Sequence, residues 1–421
     1  MLDIKFIRGN PKLVEEKAKQ KGYVVNVKKL LEVDERRRKL IEEVDKLRSD
    51  RKKAADTRDE KKGQQLKKEL KEKEDKLEKL QEEFYVLIRE VPNMPMDDVP
   101  VGKDETDNKP IRKWGKPKKF DFKVKDYQDL GESLDLIDTE TASQVSGTRF
   151  SYLKNELVLL EFALIQFALN LLTKEEELEK MSKGHNLKPF IPIVPPVMIK
   201  PQIFDQMARL DPKEERYYLE KDSLYLIGSA EHTLGSMHMN QTLNEKDFPI
   251  RYVGFSTAFR REAGSYGKDI RGIFRVHQFD KIEIESFNLP EDSKKEQDFI
   301  VAIQERLMQM LEIPYQVVMV CTGEMSAPDA RQIDIEAWFP AQGKYRETHT
   351  SDLMTDYQAR RLNTKVRRSD GKTQFVHMND ATVFAIGRTL LTIMENYQQK
   401  DGSILIPKVL QKYAGFSKIP R

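Results

Sequence analysis

Between residues 27 and 90 the apolar side chains return at alternating steps of three and four. Leu30, Val33, Arg37, Leu40, Val44, Leu47, Arg51 and Ala54 form one series; Leu66, Leu70, Lys73, Leu77, Leu80, Phe84 and Leu87 form a second. This is the spacing of the a and d positions of a heptad, so each series predicts a long helix with a narrow apolar seam, interrupted by Arg37, Arg51 and Lys73. The pattern breaks at Asp59-Glu60-Lys61-Lys62-Gly63, where Gly63 offers a point of chain reversal. Helices joined by so short a turn lie antiparallel. The prediction is a two-helix coiled-coil arm over about residues 28–91, roughly 45 Å long at about 1.5 Å per residue.

Val91-Pro92-Asn93-Met94-Pro95 ends the second helix, because proline lacks an amide donor and disfavours helix in the residue before it. A polar linker is expected up to about Pro117. Helical patterns at about 151–182, 291–312 and 382–400 then mix with short alternating strands. Without a regular strand–helix–strand rhythm, this predicts an α+β fold built on an antiparallel sheet.

Two stretches alternate in a way that gathers charge. On the run ending Thr257-Ala258-Phe259-Arg260-Arg261-Glu262, a period of two puts Arg260 and Glu262 on one face. After a glycine-rich turn, Ala263 to Gly272, a strand expected over 274–285 sends Val276, Ile282 and Ile284 one way and His277, Phe279, Lys281 and Glu283 the other. Arg331 to Phe339 repeats the device, with Ile333 and Ile335 against Asp334 and Glu336. An ordinary half-exposed sheet also alternates. Here, however, an aromatic ring sits among interleaved arginines and carboxylates, and the loop between them is rich in Gly and cations. That combination suits a ligand carrying a base, phosphate and amine.

Composition narrows the choice. Hydrophobic residues make up 38% and charged residues 34% of 421, enough for two or three domains. The single cysteine, Cys321, excludes a disulfide framework, and the six histidines lack metal-ligand spacing, so no zinc is expected. Neither a P-loop nor a dinucleotide-binding glycine fingerprint is present. A net charge of +3 gives no global pull on nucleic acid, so RNA contact must rest on local cations. Arg36, Arg37, Arg38, Arg48, Arg51, Lys52 and Lys53 on the arm provide such a set, although taken alone the arm reads first as a dimerisation or spacer element. Met1 to Asn10 carries charge where a signal peptide needs an apolar run, and Leu157 to Leu172 is broken by Glu161, Gln166 and Asn170. No membrane partner and a cytoplasmic location are expected.

Phe259 to Glu283 resembles motif 2 of class II aminoacyl-tRNA synthetases. Its strings Arg260-Arg261-Glu262-Ala263-Gly264-Ser265-Tyr266-Gly267 and His277-Gln278-Phe279-Asp280-Lys281-Ile282-Glu283 are similar to those of the seryl-tRNA synthetase family. The resemblance covers nearly the whole chain: Met1-Leu2-Asp3-Ile4, the arm, Val91-Pro92-Asn93, Gly102-Lys103-Asp104-Glu105, Cys321-Thr322-Gly323-Glu324-Met325, Tyr357-Gln358-Ala359-Arg360-Arg361 and Glu395-Asn396-Tyr397-Gln398 follow in order. It implies a tRNA-binding domain over 1–105 and a class II catalytic domain over 106–421, an antiparallel sheet flanked by helices. Motif 1 would lie near Pro195-Pro196 in a homodimer interface, and Ala385-Ile386-Gly387-Arg388 would open a motif 3 helix.

The implied activity is that of a serine–tRNA ligase: L-serine is activated with ATP to seryl-adenylate, then transferred to the 3′ end of tRNA(Ser), with tRNA(Sec) a further candidate. By the same resemblance Arg260, Arg388 and Glu347 are catalytic. Arg260, Arg261, Glu262, Phe279, Glu347, Thr348, His349, Thr350 and Arg388 bind ATP; Glu347 holds Mg2+. Ser229, Ala230, Glu231, Arg260, Glu283, Asp380 and Thr382 bind serine, and Arg36, Arg37, Arg48, Arg51, Lys52 and Lys53 bind tRNA. The chain departs from the family's common form at Ser229, at His349 (an added titratable group) and at Asp380, which stands where asparagine is usual. Two other readings compete: an adenylating enzyme that loads a carrier protein, and a non-catalytic coiled-coil interaction protein.

Overall fold

The computed structural model describes residues 1–57, 59–263 and 273–420. Two compact units divide between Pro95 and Met96.

The N-terminal unit opens with short helices over Ile4–Gly9 and Pro11–Gln20, then forms the arm helices α1 (Val27–Asp56) and α2 (Glu60–Arg89). Each begins at a side-chain cap. Asn26 accepts from the Lys29 amide at 2.9 Å and Asp59 from the Lys62 amide at 3.1 Å, which satisfies amides that have no partner inside the helix. The second cap moves the reversal: the chain turns between Asp56 and Glu60, and Gly63 lies inside α2, not at the turn. Val44, Leu70 and Leu77 are buried in the seam, with Leu40, Ile41 and Leu47 against them. The charged interruptions are accommodated. The Arg37 guanidinium lies 4.0 Å from the centre of the Phe84 ring and donates to Asp34 at 2.9 Å; Lys73 pairs with Glu43 across the arm. Arg37 thus turns inward, with 18% of its side chain exposed, whereas Arg51, Lys52 and Lys53 are exposed.

The second unit is built on an eight-stranded sheet. Its strands in chain order are β1 (Lys109–Trp114), β2 (Ile191–Ile193), β3 (Ile250–Phe259), β4 (Gln278–Asn288), β5 (Tyr315–Met319), β6 (Arg331–Phe339), β7 (Lys344–Thr355) and β8 (His377–Ala385). Across the sheet they run β1-β5-β6-β7-β8-β4-β3-β2, antiparallel throughout except for the β2–β3 pair. One face is apolar. Val253, Ile282, Ile284, Val317, Ile333, Ile335, Ala381 and Val383 share a core with residues of helices α3 (Glu156–Leu172), α4 (Ser293–Met310) and α5 (Ile386–Tyr397). Strand alternation therefore turns the charged residues to the opposite face. Buried Gln304 of α4 donates to the carbonyls of Thr350 and Thr382 at 2.7 and 2.8 Å, tying β7 and β8 to the helical layer.

Several boundaries differ from the sequence expectation. The stretch expected as linker contains β1, whose six residues are all exposed and so carry no periodic burial signal. The first charged run stops being strand at Phe259: the Arg261 amide bonds to Glu215, and Glu262 adopts φ of 51°. The next strand starts at Gln278, not Phe274, and continues to Asn288. Residues 382–385 extend β8 along β4, so α5 starts at Ile386. No single helix is long and apolar enough to cross a membrane among the described residues; α3 and the following helix Glu175–Ser182 meet at 74°.

A buried ion pair fastens α4 to the sheet. Arg251 donates to both carboxylate oxygens of Glu296 at 2.6 Å, and Ser286 and His185 complete the set. Burial opposes the charge on Glu296, but its bonds to Arg251 and His185 hold the carboxyl down to about 2. Because the folded pKa is depressed, this contribution is complete above about pH 5 and is lost as pH falls toward 2. Removing one partner of such a pair costs about 3–5 kcal/mol. Glu296→Gln should lower stability by that amount at pH 7, with the deficit shrinking below pH 5, as read by denaturant titrations across pH.

Candidate active site

The charged face converges around the middle of the sheet. Register places Glu283 of β4 opposite Gly254 of β3 and Thr382 of β8, with a bulge between Ile282 and Glu283. On the other side of β8, Asp380 faces Asp352 of β7. A second bulge between Ile335 and Glu336 lets Glu347 stand opposite Glu336 while Thr350 stands opposite Asp334. Bulges re-aim side chains in this way at the cost of local ladder regularity.

A cleft of about 130 Å³ opens on this face, lined by Arg260, Glu262, Phe279, Lys281, Glu347, Thr348, Thr350, Thr382 and Arg388, with Phe274 and Arg275 at its wall. Its groups suit a nucleotide. Arg260 donates to the Gly228 carbonyl at 3.1 Å, and its guanidinium lies 5.4 Å from the centre of the Phe279 ring. Glu262 meets Arg275 at 3.3 Å. Arg388, in the first turn of α5, pairs with Glu347 at 3.1 Å and lies over the Phe274 ring. Burial works against the Glu347 charge, but Arg388, Arg260, Lys281 and Arg275 outweigh it and hold the carboxyl below its ordinary range. With 52% of its side chain exposed, Glu347 remains accessible to a ligand.

An acidic, buried cluster adjoins the cleft through Lys281 and Thr382 of its lining. Glu283 is fully buried, accepts from Thr382 at 3.2 Å and pairs with Lys281. Burial, opposed by Lys281 and reinforced by Glu231, raises its carboxyl. Ser229 donates to Glu231 at 3.2 Å. Burial disfavours the Glu231 charge, but Arg209, Lys281 and Arg260 prevail and keep it low.

Most residues expected at the site from the sequence therefore meet. Arg260, Glu262, Phe279, Glu347, Thr348, Thr350, Thr382 and Arg388 line the cleft; Ser229, Glu231, Glu283 and Asp380 do not, and three more, Arg261, Ala230 and His349, turn away from it. Arg261 is exposed, donates to the Arg216 carbonyl and lies over Tyr217. Ala230 packs into an apolar cluster with Leu234 and Tyr252, leaving only its backbone available. His349 stands opposite Ile335 on the core face, fully buried against Phe384, and burial pushes its ring down to about 3. Its register, one residue from Thr350, reverses its face. The glycine-rich loop expected over Ala263 to Gly272 lies outside the described residues beyond Ala263. Lys281, Arg275 and Arg209 were absent from the expected set. Lys281 shares the alternation of Phe279 and Glu283, a signal that was available; nothing in the pattern marked Arg209.

Comparisons with known proteins identify the family. The family model of the tRNA synthetase class II core domain (G, H, P, S and T) matches residues 216–397, and that of the seryl-tRNA synthetase N-terminal domain matches residues 1–95. The serine–tRNA ligase of Dictyoglomus thermophilum is 43% identical over 100% of this chain and 99% of its own length. The chain belongs to the seryl-tRNA synthetase family. The solved seryl-tRNA synthetase of Pyrococcus horikoshii, complexed with ATP, is similar with a TM-score of 0.89 at 40% identity, covering 100% of this chain and 99% of that one. The cytoplasmic serine–tRNA ligase of Naegleria fowleri, in complex with AMP, gives 0.87 at 31% identity, covering 100% and 98%. The fold is that of the class II synthetases, with the long helical arm of the seryl members.

Neutral His349 should add no inflection to activity near neutrality. His349→Asn is expected to leave the shape of the pH–rate profile between pH 6 and 9 unchanged; a lost limb in that profile would return the ring to the reacting groups.

Proposed function

We propose that this enzyme is a serine–tRNA ligase: it activates L-serine with ATP and passes the seryl group to tRNA(Ser). The observation that carries the reading is a charged cleft joined, through Lys281 and Thr382, to a buried acidic cluster. Arginines and an aromatic ring gather where a nucleotide would lie, and buried carboxylates with a threonine hydroxyl gather where a small hydroxylated amino acid would lie.

In the first step a serine carboxylate oxygen bonds to the α-phosphorus as the bond to the pyrophosphate oxygen breaks. Negative charge grows on the α-phosphoryl oxygens, and Arg260, anchored by Gly228, is placed to offset it with a fork that stays charged. Phe279 offers its ring to adenine, Glu262 an acceptor for the adenine amine, and Arg388 a counter-charge for the terminal phosphate. Thr348 and Thr350 border the same cleft beside Glu347. In the second step a 3′-terminal ribose hydroxyl attacks the seryl carbonyl and AMP leaves. The protein contributes chiefly position and charge.

Glu347 fits Mg2+, which with ATP takes one or two carboxylates plus phosphate oxygens; the ion would draw charge from the phosphates. Glu336 stands opposite Glu347 on the neighbouring strand; among the described residues no three carboxylates or imidazoles gather into a cage, so most of the ion's oxygens would come from phosphates and water.

Serine would place its ammonium among Glu231 and Glu283 and its hydroxyl near Thr382 and Glu283. Polar groups left unpaired by alanine would disfavour that competitor strongly. On the arm, Arg36, Arg48, Arg51, Lys52 and Lys53 are the proposed phosphate contacts; Arg37, turned onto Phe84 and Asp34, is not. A cytoplasmic homodimer is part of the proposal. Exposed Ile191, Val194 and Met198 flank Pro195-Pro196 beside the edge strand β2, an apolar edge that a second copy would cover.

Serine-dependent ATP–pyrophosphate exchange tests the first step. Arg260→Ala should reduce kcat by about 10²–10³-fold; unchanged exchange would refute its role. Replacing Arg51, Lys52 and Lys53 with Glu should spare exchange and abolish charging of tRNA(Ser), and would weaken the salt dependence of tRNA binding. Exchange without any tRNA charging by the unaltered enzyme would favour a carrier protein as acceptor.

A further inference from the structure

Arg209 has no part in the reaction just described, yet it occupies the centre of the acidic cluster. It follows the helix Pro201–Gln206 and is only 8% exposed. Its Nη2 donates to Asp380 at 2.9 Å and lies 3.3 Å from Asp329 and 3.4 Å from Asp352; its Nε lies 3.4 Å from Glu231. The backbone that carries it is pinned from two directions. Gln358 donates to the Met207 carbonyl at 2.9 Å, and Arg216 donates to the Arg209 carbonyl at 2.7 Å. The guanidinium is thus delivered to one place by main chain, not left to search for partners.

Asp380 gives that placement a purpose. It lies two residues before Thr382 on β8, opposite Glu285 and Asp352, fully buried. Its Oδ1 and both carboxylate oxygens of Glu285 accept no hydrogen bond in this structure. A carboxylate at Asp380 adds an acidic group to a region that already holds Glu231 and Asp329. Uncompensated, that charge would repel Glu231 and Glu285 and disturb the floor of the serine pocket.

We propose that Arg209 is a positioning residue for serine: its pairing with Asp380 admits an acid at that position and fixes Glu231 and the Thr382 segment where the serine ammonium and hydroxyl bind. The inference rests on the serine–tRNA ligase reading and adds to it a residue outside the cleft's own lining. Arg209 does not line the cleft proposed for ATP. Its effect should therefore fall on serine and not on the nucleotide.

The test is a double-mutant cycle on the full-length enzyme. Arg209→Gln is expected to raise KM for serine in pyrophosphate exchange by about tenfold or more while KM for ATP stays within about twofold. Adding Asp380→Asn, which removes the stranded charge and lets two amides pair, should bring the serine KM back to within about threefold of the unaltered enzyme. Asp380→Asn alone should perturb serine less than Arg209→Gln alone, because it lowers the acidic excess. An unchanged serine KM in Arg209→Gln, an equal rise in both KM values, or no recovery in the double variant would each overturn the proposal. If Arg209→Gln does not fold, recovery of a folded, serine-competent double variant supports the pairing, and failure to recover refutes it. Absence of serine-dependent exchange in the unaltered enzyme would instead sink the serine reading. The pairing is then judged by whether Asp380→Asn restores the unfolding midpoint lost in Arg209→Gln.

Discussion

The site depends on the two-residue period of an antiparallel sheet whose one face is sealed by helices. With Ile282, Ile284, Ile333, Ile335 and Val383 committed to the core, their neighbours Glu283, Glu285, Asp334, Glu336 and Thr382 have only the opposite face to occupy. Strands β4, β6 and β8 repeat that arrangement and gather acidic groups on one face. The cost of holding those charges out of water is offset by Arg260, Lys281, Arg388 and Arg209, which enter from a strand end, the sheet itself, a helix start and a loop.

That constraint explains which parts of the molecule could be read from the chain. Strands with one covered face announced themselves: Arg331–Phe339 alternates buried and half-buried residues along its whole length, and its expected limits coincide with the observed strand. The arm was equally legible, since a heptad seam needs no distant partner to define it. Strand β1 was not, because Lys109–Trp114 is exposed on both faces and offers no contrast. His349 was misplaced for a subtler reason. The bulge at Ile335/Glu336 shifts the register, so counting along the motif does not say which side chains face the cleft. Arg209 was invisible because its role comes from a meeting of residues 231, 329, 352 and 380, brought together only by the tertiary fold.

The cleft also satisfies itself in the absence of ligand. Arg388 holds Glu347, Lys281 holds Glu283, and Arg260 lies over Phe279. Each pair joins a group expected to meet one part of the substrates with a group expected to meet another. On the proposed reading, substrate binding would be an exchange of partners: a phosphate would take Arg388 from Glu347, freeing the carboxylate for a metal, and an ammonium would compete with Lys281 for Glu283. Such internal pairing keeps unpaired charge out of a partly buried cleft and holds the side chains near their working positions.

The exchange has a consequence for selectivity. A ligand that supplies only one charged part, an isolated amine or an isolated phosphate, displaces one internal pair and strands its former partner. A ligand pair supplying both phosphate and ammonium leaves every released group with a new counter-charge. The buried acidic cluster sharpens the requirement, because Glu283 is fully buried and gains no compensation from water when Lys281 is displaced. On the proposed reading, selection for an amino acid together with a nucleotide triphosphate would follow from charge balance within the cleft as much as from the shape of either pocket.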